Sequence, residues 1–409
     1  MDLANSLNGK KEELNFSDYT YVMVSTLNQM VNYIPLKYFD CKFKEVVNIT
    51  INDSQYADNS KWDKNLTEVL GSEVSTSPIN FKQSEITNFT TIKNRLNEQL
   101  KGKEKIFWNI TGGQRPFVLA IQQIAKADDV ICYLEGNKSQ MVLLQNGIEL
   151  KDIVDDYSIE NKEDLNIEIA LKLMGFDIKE TKTSHRNLLE KYDETKDERE
   201  FYLNFLDEYI KNETLRKNCI LLNRESEKAT AQTAIKTALK DLKYSKIDEE
   251  LNQNKAFGYI LEKLAGYKIL EVANGKISDM TFGEKINHLR EEDKADEYHI
   301  DEFDIALLTK NGKFMIFECK SGGMEGDVAK STKYSTYAVS GAYGLPILIT
   351  PLLQSEIDNI DNLDKDIYGY IQSAVKSAKR ADLEVWGLDE IGGIDNNIER
   401  SKLKKYIEL

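Results

Sequence analysis

The sequence predicts an α/β protein in which a parallel, Rossmann-like sheet comes first, a helical segment follows, and a region of mixed strands and helices comes last. Strand-like and helix-like segments alternate through the first 150 residues. Residues 151–250 are rich in lysine and glutamate at helical spacing and show no clear strand. Because 409 residues suffice for two or three domains of about 150 residues each, we predict domains over 1–150, 151–250 and 251–409.

The first region has the most regular pattern. It predicts strands over 19–24, 45–51, 106–110 and 130–134 and helices over 28–38, 84–100 and 116–126. Pro116 falls in the first turn of its helix, where proline is tolerated, whereas Pro35 is a flaw in the helix predicted over 28–38. Later in the chain the pattern predicts helices over 198–209, 229–242 and 257–264, two strands flanking Asn311-Gly312, and a strand over 347–350.

Composition excludes several classes of function. The net charge is −15, so nucleic acid would be repelled by the general surface and could be held only in a local groove or through a metal. Four cysteines without a C-x-x-C pair and three histidines argue against zinc knuckles, disulfide frameworks and histidine-rich metal sites. The first 16 residues are polar, and no apolar run reaches about 18 residues. We therefore expect a cytoplasmic protein with no membrane partner.

The strongest chemical signal is a predicted β-hairpin that carries Asp304, Glu318 and Lys320. Glu318 and Lys320 lie two residues apart on one strand and so share a face. A two-residue turn would turn Asp304 away from them, whereas a three-residue loop ending in Gly312 sets position 304 opposite position 318. Gly312 suits the left-handed conformation that such loops require, so we predict the three-residue loop.

Two carboxylates and a lysine on one face suit metal-assisted cleavage of phosphodiesters. Asp304 and Glu318 offer hard oxygen ligands to Mg²⁺ or Mn²⁺, and Lys320 can orient water or neutralise charge in the transition state. The alternative is an exposed hairpin with ordinary surface charges. Charges at the end of an apolar strand are costly unless they are used, which favours the catalytic interpretation.

The pattern Asp304…Glu318-x-Lys320 resembles the core of the PD-(D/E)xK nucleases, with Phe303 before the aspartate where that family often has proline. The resemblance implies a restriction-endonuclease-like fold for the C-terminal region. It also implies that Glu262, on the helix upstream, is a further metal ligand or water-orienting group, although a solvated helix glutamate is the alternative. Downstream, Lys330, Lys333 and Tyr334 are candidates for contacting phosphate and base, with plain surface residues as the alternative.

A second motif, from Asn109 to Arg115, places two glycines between a strand and a helix. Glycines there allow a ligand to approach the backbone, and the helix N-terminus favours phosphate; simple helix capping is the alternative. Asn-x-Thr-Gly-Gly at this place in a Rossmann-like domain resembles the CARF domain, which senses cyclic oligoadenylates in type III CRISPR defence. The resemblance implies ring contacts at the following residues: Ser25, Thr26, Asn28, Gln29, Thr111, Gly112, Gly113, Gln114 and Arg115.

The two motifs together resemble the CRISPR ancillary nucleases that join a CARF domain to a PD-(D/E)xK domain. This implies a homodimer that binds cyclic tetra-adenylate across its two-fold axis and then cuts single-stranded DNA or RNA, or nicks duplex DNA, with Mn²⁺ or Mg²⁺. Two alternatives stay open. One is a constitutive restriction or repair nuclease whose N-terminal domain only dimerises, and the other is a non-catalytic regulator that senses nucleotides.

Overall fold

A computed structural model of the chain describes residues 14–53, 57–58, 60–71, 74–146, 148–149, 157–179, 188–189, 191–288, 299–341, 344–392 and 401–407. The fold has two compact units. Unit 1 takes in the described residues up to Asp177 together with His288 and Lys310–Lys313, and unit 2 takes in the others. Among the described residues, no helix is both long and apolar enough to cross a membrane.

Unit 1 is built on a sheet flanked by helices. Its strands are β1 (Thr20–Val24), β2 (Glu45–Asp53), β3 (Ala57–Asp58), β4 (Thr76–Phe81), β5 (Ile106–Asn109), β6 (Val130–Glu135), β7 (Gln140–Gln145) and β8 (Ile148–Glu149). Its helices are α1 (Met30–Tyr38), α2 (Ser60–Leu70), α3 (Phe89–Gln99), α4 (Arg115–Ile124) and α5 (Ile167–Leu173).

The order of strands in this sheet creates a natural binding crevice. The strands run β3-β2-β1-β5-β6-β7-β8, with β4 also paired to β2. Strands β1, β2, β4, β5 and β6 pair in parallel, which confirms the predicted Rossmann-like sheet. The chain moves outward from β1 through β2 to β4 and then returns to β5 on the other side of β1. The carboxyl ends of β1 and β5 therefore flank a topological switch point, where α/β proteins bind ligands.

Local chemistry explains where two elements of unit 1 differ from the pattern-based expectation. The helix predicted over 84–100 begins only at Phe89, because Asn88 accepts a hydrogen bond from the Thr91 amide and caps it. The sequence pattern did not predict strand β4, because Pro78 interrupts its apolar residues. Among the described strands β4 pairs only with β2, so it forms an edge of the parallel sheet, where proline is tolerated.

Unit 2 contains most of the described helices and the second sheet, apart from its terminal residues Phe176, Asp177 and His288. The sheet is ordered β14-β13-β12-β11-β10-β9, from strands β9 (Phe176–Lys179), β10 (Ile277–His288), β11 (His299–Thr309), β12 (Phe314–Cys319), β13 (Leu345–Ile349) and β14 (Glu384–Trp386). The helices are α6 (Lys196–Lys211), α7 (Glu213–Leu221), α8 (Lys228–Ala238), α9 (Ile247–Asn252), α10 (Ala256–Ala273), α11 (Gly326–Ser340), α12 (Gln354–Asp358), α13 (Lys365–Arg380), α14 (Leu388–Gly392) and α15 (Lys402–Ile407).

Helix α10 forms the centre of the core of unit 2. It is apolar on nearly every side, and most of its residues are buried, as expected for a helix surrounded by other elements. The same apolar cluster includes Phe205, Cys219, Ile235 and Leu251 from helices α6 to α9. The helices of segment 191–252 thus pack into the core that supports strands β11 and β12.

Candidate functional site

Strands β11 and β12 set the two candidate metal ligands side by side. Ile305 pairs with Phe317, and the same register, continued by one residue, sets Asp304 opposite Glu318. The connecting loop ends in Gly312, whose φ is +84°, so it closes in the left-handed conformation open to glycine. The predicted three-residue loop is confirmed.

Each group of this pair is fixed by a direct contact. The Asp304 carboxylate accepts a hydrogen bond of 2.7 Å from the backbone amide of Cys319. Glu318 is buried and forms an ion pair with Lys320. The backbone amide of Lys320 donates to the Ile349 carbonyl at 3.0 Å, which extends the parallel pairing of β12 with β13. The strand framework therefore brings Asp304, Glu318 and Lys320 together.

Burial has the largest effect on the pKa values of this cluster, and repulsion between its carboxylates adds to it. Burial raises the pKa of Asp304 well above its usual range, and the Glu318 and Glu262 carboxylates raise it further. Burial also raises the pKa of Glu318, although Lys320 acts against this rise. For Lys320, burial lowers the pKa, but Glu318 and Asp304 outweigh burial and raise it overall. The lysine is therefore held in its charged form.

Glu262 belongs to the same electrostatic cluster. It lies on α10, which packs against β11 and β12. Burial raises its pKa to about 7, with Lys320 acting against burial and Glu318 and Glu302 adding to it. A carboxyl that titrates near neutrality beside a lysine and other carboxyls is typical of functional sites.

Sequence analysis missed one member of this cluster, Glu302. It lies two residues before Asp304 on β11, so the two side chains share a face. Its carboxylate raises the pKa of both Glu262 and Glu318. The alternation of strand residues could have identified it, because position 302 falls opposite Lys320 in the register that pairs Asp304 with Glu318.

The predicted substrate contacts lie on α11, which packs against β12. Lys330 is exposed and pairs with Asp327 at 3.4 Å. Lys333 is partly buried and pairs with Asp382 at 3.0 Å. Tyr334 is 70% exposed, which leaves its ring accessible for stacking.

The predicted ligand loop of unit 1 lies at the switch point between β1 and β5. Both glycines pack tightly on the end of β1. A Cβ at Gly112 would lie 2.9 Å from Thr26 Cγ2, and one at Gly113 would lie 2.3 Å from Val24 Cγ1. Gly113 also has a φ of +89°, so a side chain is excluded by both space and conformation.

The residues after β1 are mostly held by one another. Gln29 is fully buried, and its amide donates to the Ser25 hydroxyl at 2.9 Å and accepts from Asn32 at 2.8 Å. Asn28 accepts from the Met30 amide at 3.1 Å at the start of α1. Thr26 is half-buried. Ser25 and Gln29 therefore shape the crevice from beneath.

Thr111 has a similar structural role. Its hydroxyl donates to the Asn109 side chain at 2.7 Å and accepts from the Leu134 amide at 2.8 Å. In contrast, Gln114 and Arg115 are exposed. They stand at the start of α4, where Pro116 has no N–H and the Phe117 amide donates to the Gln114 carbonyl at 3.0 Å. The exposed Arg115 side chain is therefore the group best placed to meet an anion.

Asn109 explains how α1 accommodates Pro35. A proline has no N–H to donate to the carbonyl four residues earlier, which here is Val31. The Asn109 amide, fully buried, donates to that Val31 carbonyl at 2.9 Å. It also donates to the Tyr21 hydroxyl at 2.8 Å. The flaw noted in the sequence is thus satisfied by a side chain from β5.

Comparison with known proteins identifies the fold. No protein-family model and no curated protein matches the chain. The protein VC1899 from Vibrio cholerae superposes with a TM-score of 0.65 at 15% identity, covering 96% of this chain and 99% of that one. Can2 from Sulfobacillus thermosulfidooxidans, solved in complex with cyclic tetra-adenylate, gives a TM-score of 0.63 at 16% identity, covering 98% of this chain and 100% of that one. Both share its fold.

The structure adds polar residues near the switch point that sequence analysis missed. Asp63 on α2 accepts hydrogen bonds from Ser25 and Asn48. Asn48 Oδ1 and the Thr50 hydroxyl are buried, and no described residue supplies either with a partner. Asn48 and Thr50 alternate on β2, but nothing in their local sequence distinguishes them from ordinary strand residues.

The described residues contain no preformed group of three histidine, cysteine, aspartate or glutamate side chains suited to hold a metal ion. Mg²⁺ in proteins is commonly bound by one or two carboxylates, with water and substrate phosphate completing its shell. The Asp304–Glu318 pair supplies that smaller donor set.

Proposed function

We propose that this protein is an endonuclease of type III CRISPR defence, activated by cyclic tetra-adenylate and dependent on a divalent metal. Its substrate would be single-stranded DNA or RNA, or duplex DNA that it nicks. The C-terminal region would be a nuclease domain of the PD-(D/E)xK type, and the N-terminal region would be a CARF-like sensor. Residues 151–250 would connect the two.

The observation that carries the proposal is the buried carboxylate cluster beside a charged lysine. Asp304 and Glu318 lie opposite one another, and the partly buried Glu262 and the exposed Glu302 add negative potential. Lys320 lowers the pKa of all three carboxyls, Glu262, Asp304 and Glu318. So much buried negative charge is costly in a purely structural hairpin.

The donor set fits Mn²⁺ or Mg²⁺, because both prefer carboxylate oxygens and the cluster lacks sufficient positive charge. Asp304 and Glu318 would hold the ion, and Glu262 would orient one of its water molecules or join as a further ligand. When bound, such an ion polarises the phosphate and lowers the pKa of water. Lys320, kept protonated by its carboxylate neighbours, would donate a hydrogen bond to the attacking water or to a phosphate oxygen.

The sensor half of the proposal is supported by the crevice between β1 and β5. Its floor is fixed by buried hydrogen bonds, Gly113 is exposed in its loop, and the exposed Arg115 side chain offers positive charge to a phosphate. Can2, whose fold this chain shares, was solved with cyclic tetra-adenylate. A ring of four identical nucleotides can adopt two-fold symmetry, which suits a site shared by two protomers.

The acidic composition supports control of cleavage by the ligand. Because the chain has a net charge of −15, it would repel nucleic acid until a groove and a metal are assembled. Ligand binding would shift the homodimer towards the state in which that groove forms.

The test is cleavage of labelled single-stranded DNA and RNA with Mn²⁺, with and without cyclic tetra-adenylate. We expect cutting only when ligand and metal are both present. A Glu318→Ala protein should lose at least about 100-fold in rate, while Asp358→Asn, an exposed aspartate on α12, should cut normally.

Other outcomes would change the proposal in distinct ways. Equal cutting without the ring would favour a constitutive nuclease. Binding of the ring without cutting by any nucleic-acid substrate would favour a non-catalytic regulator.

A further inference from the structure

An exposed tyrosine on α13 stands beside the loop that follows Lys320. A Cβ at Gly323 would lie 3.5 Å from Tyr370 Cδ1 and 3.8 Å from Tyr370 Cβ. The ring is nevertheless 73% exposed. Tyr370 therefore borders the candidate catalytic loop and presents an uncovered aromatic face to solvent.

Two glycines close to Tyr370 in the chain or in the adjoining loop have open space where a side chain would stand. No side chain or neighbouring segment among the described residues comes within 4 Å of the Cβ positions of Gly322 and Gly369. Gly369 lies inside helix α13, where glycine costs about 1 kcal/mol relative to alanine. Among the described residues, nothing fills the space that a side chain at Gly369 would occupy.

The position of Tyr370 relative to Lys320 is fixed by a polar clamp. The Asn223 amide donates to the Ser321 hydroxyl at 3.0 Å, one residue after Lys320. Asn223 also accepts from the Phe257 amide at 3.1 Å, at the start of the helix that carries Glu262. The next residue, Arg224, donates to the Ile367 carbonyl at 3.2 Å near the start of α13. One short turn thus ties α10, the catalytic loop and α13 together.

We propose that Tyr370 is a substrate-binding residue that stacks on one base of a single-stranded nucleic acid and so places the neighbouring phosphate at Lys320 and Glu318. This inference rests on the proposed nuclease function. A tyrosine face stacks on any base, so the contact favours unpaired strands over duplex without reading sequence. Stacking also needs no positive charge, which suits an acidic protein.

Binding of labelled poly-dT and poly-U is measured by fluorescence anisotropy in the Glu318→Gln background, with cyclic tetra-adenylate and Mn²⁺ present. Cleavage is measured in parallel with proteins that keep Glu318. Tyr370→Ala should weaken binding about 10- to 100-fold and raise KM more than it lowers kcat. Tyr370→Phe should retain binding within about threefold, because the ring is kept. Tyr133→Ala, an exposed tyrosine on β6 of unit 1, serves as the matched control and should behave as the parent protein.

A scan with abasic substrates separates stacking from a structural effect. One base is removed at successive positions of the strand. The parent protein should lose affinity at a single position, and Tyr370→Ala should show no further loss there. Equal losses in both proteins would overturn the stacking contact, as would unchanged binding and cleavage by Tyr370→Ala. If the parent protein still cleaves in either case, the stacking role of Tyr370 is wrong but the nuclease function stands. If the parent protein neither binds nor cleaves the strands, both the stacking role and the nuclease function are overturned.

Discussion

The two candidate sites differ in how their buried polar groups are stabilised. At the switch point of unit 1, Asn109 bonds to Thr111 and to the Val31 carbonyl, and Gln29 bonds to Ser25 and Asn32. In unit 2, Asp304, Glu318 and Glu262 repel one another, and the pKa of each is raised. The first site satisfies most of its polar groups through internal hydrogen bonds, whereas the second carries excess negative charge.

This difference indicates what each site requires from outside. An internal hydrogen-bond network gives a rigid floor, so under the proposed function recognition of the ring would fall to the exposed backbone, Gln114 and Arg115. A cluster of repelling carboxylates stores unfavourable energy that a cation relieves on binding. Substitutions that convert one kind of site into the other should therefore change stability with opposite signs.

The largest effect is expected from Asn109→Asp. The carboxylate cannot donate to the Val31 carbonyl or to the Tyr21 hydroxyl, and it places a buried charge beside the Val31 oxygen. We expect unit 1 to lose about 3 to 5 kcal/mol of stability. Hydrogen exchange of the β5 amides measures this loss, and Asn94→Asp on the exposed side of α3 is the matched control.

A loss below about 1 kcal/mol would contradict the central role of Asn109. The same result would remove the explanation for Pro35, because α1 would then tolerate the unsatisfied Val31 carbonyl without help.

The contrast also shows what the sequence could and could not predict. Gly312 sits where a three-residue loop needs a left-handed residue, so local chemistry predicted the register of β11 and β12 and hence the meeting of Asp304 with Glu318. The bond from Asn109 to Val31 joins residues 78 positions apart, and no local pattern indicates such a contact. The same holds for the Asn223 turn beside the loop after Lys320. Contacts set by tertiary packing were missed, whereas those set by strand alternation and turn chemistry were found.

In unit 2 the Glu262→Gln substitution should have the opposite effect and increase stability. A carboxyl whose pKa is raised in the folded protein contributes its stability below its unfolded pKa near 4.5, and that stability is lost as the pH rises towards about 7. At pH 8 the metal-free wild type therefore bears the full cost of the ionised side chain. We expect Glu262→Gln to be about 1 to 3 kcal/mol more stable than wild type at pH 8 and nearly equal to it below pH 4.5.

Hydrogen exchange of the α10 and β12 amides in EDTA, repeated across this pH range, checks the prediction. Glu271→Gln on the same helix is the control, since its carboxylate pairs with Lys268 outside the cluster. A Glu262→Gln protein that is less stable than wild type at pH 8 would mean that the carboxylate is a structural anchor and that unit 2 resembles unit 1 in this respect.

The smallest effect is expected at Thr111. Its substitution distinguishes the two interpretations of the Thr-Gly-Gly loop, ligand binding and a purely structural role. The hydroxyl donates to Asn109 and accepts from the Leu134 amide, so Thr111→Val should destabilise the ligand-free unit 1 by about 1 to 2 kcal/mol, while Thr111→Ser should cost under about 1 kcal/mol. Calorimetric titration with cyclic tetra-adenylate should then show weaker binding for the valine variant and near-normal binding for the serine variant. A valine variant that keeps full stability without ligand yet loses ring binding would assign the hydroxyl to the ligand. In that case the floor of the crevice would not be internally complete, and the contrast between the two sites would lie in charge alone.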